Sequence, residues 1–391
     1  MPIRATSWQT RVHAPRNGHS SRADWVSRAA VATAILATSV LASDPGKNWP
    51  IYRGDSRLTG VAAQGLPESL KVAWKFAIPE PITSSAAIAD GKVYFGGDDG
   101  VVYALDLSTG QKHWEYKAGE SIRAPVSVFG ATVFVGDSDG VFHAIDAASG
   151  SVRWTFRTES EIVSAANEAG NRVLFGSYDG FVYCLMKTDG SLSWKVETQG
   201  RVHGTPAVVD DKVIVAGCDE RIHVLSLDTG EKRGEISVGA PSGSSAAIVG
   251  SMVYVGTYGN KVHAVDWNSG QAAWVFEDKE RSFPFFASAA VTKDMVYVAG
   301  RDKRIRALDA ATGKPRWEFA TQGRNDSSPV LAGTRLFAAS SDGNLYVLAA
   351  SDGKELWRFE AGAPISASPA VADGRLVIGT EDGVLYCFSG P

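Results

Sequence analysis

The chain of 391 residues is 44% hydrophobic, 21% charged and 10% aromatic, a balance that excludes disorder, collagen and low-complexity designs. Its 41 Gly, 16 Pro and 11 Trp favour many tight turns bracketing aromatic-rich strands over long helices. Three Cys without Cys-x-x-Cys spacing argue against a disulfide framework or structural zinc, and a formal net charge of −4 is the wrong sign for a nucleic-acid surface.

The first 28 residues carry Arg4, Arg11, Arg16, Arg22 and Arg28 against a single acid, Asp24, and an uncharged stretch follows over residues 29–41. As a helix that stretch spans about 20 Å, short of the roughly 30 Å hydrocarbon core of a bilayer. The pattern reads as a cleaved export leader over residues 1–43, with Ala42 and Ser43 as the small residues at the cut. An organelle-targeting leader is the alternative, and either is removed. No Cys follows the apolar stretch, so a lipid-anchored terminus is not expected, nor is a transmembrane helix in the mature chain. Without the leader the net charge falls to −8, and the expected location is periplasmic or secreted.

Residues 44–69 read as a lead-in, and from residue 70 to 391 the chain repeats. A small or polar residue, then Gly, three variable residues and Trp recurs at Gly110 to Trp114, Gly150 to Trp154, Gly190 to Trp194, Gly270 to Trp274, Gly313 to Trp317 and Gly353 to Trp357. Gly230 keeps the glycine but has Gly234 where Trp belongs. The glycines are spaced 40, 40, 40, 40, 43 and 40 apart. Each period contains four short β-like runs, A to D, as residues 85–89, 92–96, 101–107 and 112–116 illustrate. Runs B and C meet at a column of turn acids: Asp99, Asp139, Asp179, Asp219, Asp302, Asp342 and Asp382.

Four-stranded units of this period make a β-propeller, in which radially packed sheets bury faces that none buries alone. Seven units are complete. The eighth has A, B and C and then the chain ends, while residues 70–76, with Trp74, form a D strand without its own A, B and C. The expected fold is therefore all-β, an eight-bladed propeller whose amino-terminal strand completes the last blade and removes an exposed edge.

The run from Ala307 to Trp317, Ala-x-Asp-x-x-Thr-Gly-x-x-x-Trp, resembles the tryptophan-docking motif of quinoprotein (PQQ-type) propellers, and residues 49–55 resemble their lead-in. The resemblance covers residues 70–390 and implies that Trp74, Trp114, Trp154, Trp194, Trp274, Trp317 and Trp357 are wedged between blades as structural docks. Two functions follow from it. One is that of the exported, non-catalytic members, which serve as protein-interaction scaffolds in outer-membrane protein assembly. The other is a PQQ-dependent alcohol or sugar dehydrogenase, with PQQ and calcium over the channel. The scaffold reading is preferred, with no cofactor, no catalytic residue and no metal site, because the dehydrogenases are longer and place adjacent Cys against the cofactor. A carbohydrate-binding propeller is a further alternative.

Only residues near the axis of a ring converge. One column at the start of the A strands reads Thr83, Arg123, Val163, His203, Gly243, Phe286, Asp326 and Ser366, and Arg123, His203 and Asp326 are its candidates for holding an anionic ligand. His143, His223 and His263 share a mid-blade column and read as sheet shields. The string Gly136-Asp137-Ser138-Asp139-Gly140 mimics a nucleophile elbow but falls in the B to C hairpin, and Cys184 and Cys387 read as buried thiols. The 43-residue spacing marks an insertion whose Arg281, Phe283, Phe285 and Phe286 are the candidate anchors for a protein partner at one mouth of the ring, with the chain itself monomeric. Gly234 is expected to loosen blade 4 unless Trp267 fills the gap.

Overall fold

A computed structural model describes residues 46–391; the expected leader and the first two lead-in residues lie outside the described residues. Eight sheets form, and among the described residues there is no helix. Blade 1 runs through strands Ala87–Ala89, Lys92–Gly96, Val101–Asp106 and Lys112–Lys117, and the same order repeats around the ring. The ring closes as the repeat requires: Lys71–Ala77 pairs antiparallel with Val384–Ser389, which sets Trp74 opposite Cys387.

In six seams the motif Trp lies on the glycine of the next blade and donates its indole N–H to a backbone carbonyl there, whereas Trp357, expected to dock in the same way, packs against Phe359 and Phe388. Trp74 bonds Leu107, Trp114 bonds Ala147, Trp154 bonds Lys187, Trp194 bonds Leu227, Trp274 bonds Ala310 and Trp317 bonds Ala350, at 2.8 to 3.1 Å. These glycines have positive φ, 74° at Gly110 for example, and a Cβ there would meet the ring at 2.7 Å. The turn needs a left-handed residue and the indole needs a bare one, so glycine is required twice over.

In six blades the strand C column that contains the three histidines ties the strand to its own hairpin, Arg306 bonding Asp302 in blade 6. Tyr103 bonds Asp99, Tyr183 bonds Asp179, His223 bonds Asp219, Tyr346 bonds Asp342, and His143 bonds Asp137. Asp137 also takes the N–H groups of Asp139 and Val141, so the elbow-like string is a hairpin held by its own acid. In blade 5 Gly259 stands where the other turns have Asp, so buried His263 has no partner for Nε2 and burial pushes its pKa down to about 4. Cys184 and Cys387 are free and buried, and burial pushes their thiols up to about 12 and 11.

The A strands are the innermost, so their inner edges would leave N–H groups unpaired facing the axis. The lead-in supplies the partners. Gly46 accepts from Asp373 in blade 8, Trp49 exchanges two bonds with Ile88 in blade 1, and Pro50 accepts from Val128 in blade 2. Ser56 accepts from the side chain of Asn167 in blade 3 and from Val208 in blade 4. Arg57 accepts from Ile248 in blade 5, Thr59 from Val291 in blade 6 and Gly60 from Leu331 in blade 7, where Val61–Ala62 also adds a parallel fifth strand. Residues 46–62 thus visit all eight blades in order and cross one end of the channel. Arg53 is the centre of this crossing: 1% exposed, it donates to the carbonyls of Ala289 and Pro329 from two different blades.

Candidate functional site at the channel mouth

With one end crossed by the lead-in, the channel is a cavity of about 600 Å3 entered from the other face. Its wall contains the whole predicted column, Thr83, Arg123, Val163, His203, Gly243, Phe286, Asp326 and Ser366. The expected column thus lines one cavity, Arg123, His203 and Asp326 among it.

Two residues deeper lies a column that the sequence reading did not single out. Ser85, Thr205, Ser245, Ser288, Ser328 and Ser368 each accept a backbone N–H from the preceding blade. Ser368 N–H goes to Ser85, Ser328 to Ser368, Ser288 to Ser328, Ser245 to Ser288, Thr205 to Ser245 and Ala165 to Thr205, at 2.8 to 3.2 Å. Pro125 and Ala165 interrupt the belt, one lacking the N–H and both lacking the hydroxyl. In blades 3 to 8 the N–H group two residues ahead of each short A strand thus serves the neighbouring blade. Tyr52 of the lead-in joins the belt, its phenol lying 2.7 Å from the Ser328 hydroxyl. The signal was available, since a hydroxyl residue recurs two positions after the channel column in blades 1, 4, 5, 6, 7 and 8.

The mouth itself is charged and aromatic. Arg301 grips Asp326 with a fork, Nε to Oδ1 at 2.6 Å and the second nitrogen to Oδ2 at 3.2 Å, and Arg324 reaches the same carboxylate at 3.1 Å. Arg123 lies 3.9 Å from Asp98, which also accepts from Thr83. Both lining arginines are therefore committed to acids, while lining Glu161 and Glu381 have no ion pair among the described residues. The cavity has a surplus of negative charge, so the expectation that Arg123, His203 and Asp326 hold an anion meets an unfavourable field. His203 adds no positive charge. The Tyr178 hydroxyl and His203 Nδ1 share a hydrogen bond at 2.5 Å, and burial lowers the imidazole to about 4, leaving it neutral at pH 7.

Phe286 organises the aromatic side. Its ring lies 5.1 Å from His203 and 6.0 Å from Tyr258, with the Arg301 guanidinium over it at 4.8 Å, and Arg201 lies over Tyr178 at 5.2 Å. Gly243 makes room for this ring, because a Cβ there would stand 2.8 Å from it.

The insertion does not present its four candidates as one patch. Phe285 is 2% exposed and packs against Phe276 in the core between blades, so as a partner anchor it is corrected: it is a core residue. Phe286 turns into the channel. Phe283 is 49% exposed, and Arg281 lies near Asp278 and Glu318 at 3.7 Å. Asp278 also binds the buried Arg306, which fixes the base of the loop beneath Phe283.

Among the described residues no group of His, Cys, Asp or Glu is arranged to hold a metal ion, and no helix is long and apolar enough to cross a membrane.

No curated protein sequence matches the chain. Among solved structures, BamB from Moraxella catarrhalis is similar at 21% identity and a TM-score of 0.71 over 82% of this chain and 100% of that one. The quinohemoprotein alcohol dehydrogenase from Comamonas testosteroni is similar at 15% identity and 0.75 over 88% and 80%, and the computationally designed Ika8 protein at 17% and 0.72 over 80% and 98%. At such identities the likeness is one of fold. A family model described as outer membrane protein assembly factor BamB matches residues 60–128, 98–252, 158–287 and 301–390, most of the chain. The chain belongs to that family of PQQ-like repeat propellers.

Proposed function

We propose that this chain is a non-catalytic scaffold of the cell envelope that binds polypeptide partners across the open mouth of its ring. The observation that carries the reading is the state of the mouth. Arg301 is locked to Asp326 and Arg123 lies near Asp98, its one imidazole is neutral and hydrogen-bonded, and its aromatic rings are stacked under guanidinium groups. Arginine and aromatic side chains held rigidly around a depression are the composition of protein-binding hot spots. The exposed Phe283 stands on the same connection that delivers Phe286 to the channel. Export to the periplasm and a place in outer-membrane protein assembly accord with the family description and with BamB of Moraxella catarrhalis.

The dehydrogenase reading requires a quinone bearing three carboxylates together with calcium. The lining does not suit that pair: lining acids outnumber lining arginines, both arginines are already paired, and the described acids form no metal-holding group. No reaction step is derived through that cofactor.

The test is site-directed photocrosslinking in the native compartment. Probes at Phe283 and Arg123 are expected to capture envelope-assembly proteins, while a probe at Val152, exposed on an outer strand, is expected to remain unlinked. Crosslinks that come from Val152 and not from the mouth would overturn the reading. So would a stoichiometric PQQ and calcium complex that turns over alcohols with a dye acceptor.

A further inference from the structure

The seam between blades 4 and 5 is built like the six docked seams but lacks its ring. Gly234 occupies the place of the docking Trp, and the glycine on which that ring would lie, Gly270, keeps the same left-handed conformation, φ 71°, as its counterparts. Elsewhere a Cβ on the docking glycine would meet an indole at 2.5 to 2.8 Å; on Gly270 it would meet only Ile236, at 3.8 Å. Gly270 is exposed, whereas Gly150, Gly190, Gly230, Gly313 and Gly353 are buried. Trp267, the in-chain candidate to fill the gap, does not fill it. Its ring lies instead against the Lys212 ammonium, 5.2 Å away, and its Nε1 is buried without a partner. Its backbone carbonyl, at the position that accepts the indole N–H in six other seams, receives none.

We propose that this seam is an open indole socket that takes the side chain of a tryptophan presented by a partner polypeptide. The choice of occupant comes from the molecule. The same floor and the same carbonyl position hold a Trp carried on an extended strand in six seams of this ring, and between blades 4 and 5, where Trp267 packs on the cluster that contains Ile236, the floor at Gly270 stays exposed with only Ile236 near it. A ring seated there would cover Gly270 and Ile236 and gain the carbonyl of Trp267 as acceptor. This site is separate from the channel mouth and does not depend on the function proposed for it.

The test uses N-acetyl-L-tryptophanamide as the probe on the protein containing residues 46–391. Saturating probe is expected to raise the melting temperature of the unaltered protein by about 2 °C, and to protect Gly270 and Trp267 in residue-resolved NMR or crystallographic density. Gly234→Trp, which supplies the ring in cis, is expected to abolish both effects. Trp114→Gly opens the same kind of socket in the first seam and is expected to gain a second binding site. Absence of a shift with the unaltered protein, or probe density elsewhere than on Gly270, overturns the proposal. Binding that survives in folded Gly234→Trp does the same. If Gly234→Trp does not fold, the location of the probe in the unaltered protein decides alone.

Discussion

Where residues 46–62 cross the channel, the contacts are backbone hydrogen bonds, hydroxyls and a single buried guanidinium bonded to carbonyls, whereas the opposite mouth is held by carboxylates, arginines, an imidazole and aromatic faces. One end leaves nothing that titrates near neutrality and little that is exposed. The other spends its pairing energy on groups that water and salt can reach. The difference separates stability from recognition: changes at the crossing are expected to unfold the ring, and changes at the mouth to alter what it binds.

The largest effect is expected at Arg53. Arg53→Leu removes Nη2, the donor to both Ala289 and Pro329, and leaves two buried carbonyls unpaired, which costs about 3 kcal/mol or more. Urea denaturation measures the loss. Gly60→Ala should act in the same direction, because a methyl at its φ of 68° runs into the Arg53 guanidinium. If either variant unfolds like the unaltered protein, the crossing is an attached tail and not a structural member.

Acid comes next, and it acts at the mouth and inside blade 5, not at the crossing. His203 at the mouth has its pKa lowered to about 4 by burial, as has His263 inside blade 5. Between that value and the unfolded value near 6.5 the unfolded chain binds the extra proton, so folding stability falls as pH drops through this window and is complete above it. From pH 7 to pH 5 each histidine costs about 2 kcal/mol. His203→Gln should remove its share of that slope. A slope unchanged in His203→Gln would mean that the mouth imidazole is not held neutral.

Most of this fold was legible because it is periodic. The glycine and Trp spacing gave the blades, the unmatched strand with Trp74 gave the closure onto Val384–Ser389, and the start of the A strands gave the channel wall. The crossing was illegible for the opposite reason: residues 46–62 bond through their backbone, so their side chains carry no strand pattern to read. Phe285 misled because consecutive residues of an extended chain face opposite ways, sending Phe286 to the channel and Phe285 to the core. The hydroxyl belt was written in the sequence as plainly as the channel column, but a serine reads as polar filler until its neighbour's N–H is seen to need it. Ser328→Ala tests that view. It strands the Ser288 N–H and leaves the Tyr52 phenol only the Ser288 hydroxyl at 3.3 Å, for an expected loss of about 1 to 2 kcal/mol by urea denaturation. The natural gaps at Pro125 and Ala165 show that single interruptions are survivable.

The smallest effect on stability, and the most telling for function, is expected from Arg123→Ala. The Arg123 side chain is 56% exposed and its only acid is 3.9 Å away, so its removal should change stability by less than about 0.5 kcal/mol. At a docking surface the same change removes one of the two cations lining the mouth and leaves Asp98 uncompensated beside Glu161 and Glu381. The crosslink yield at Phe283 should then fall, and fall more at low salt, where the enlarged negative field is least screened. Phe283→Ala removes contact area and no charge, so its loss of yield should be independent of salt. A folded protein in which both variants crosslink as before would place recognition away from the mouth, and the ordered charges there would then serve only to keep eight loops in register.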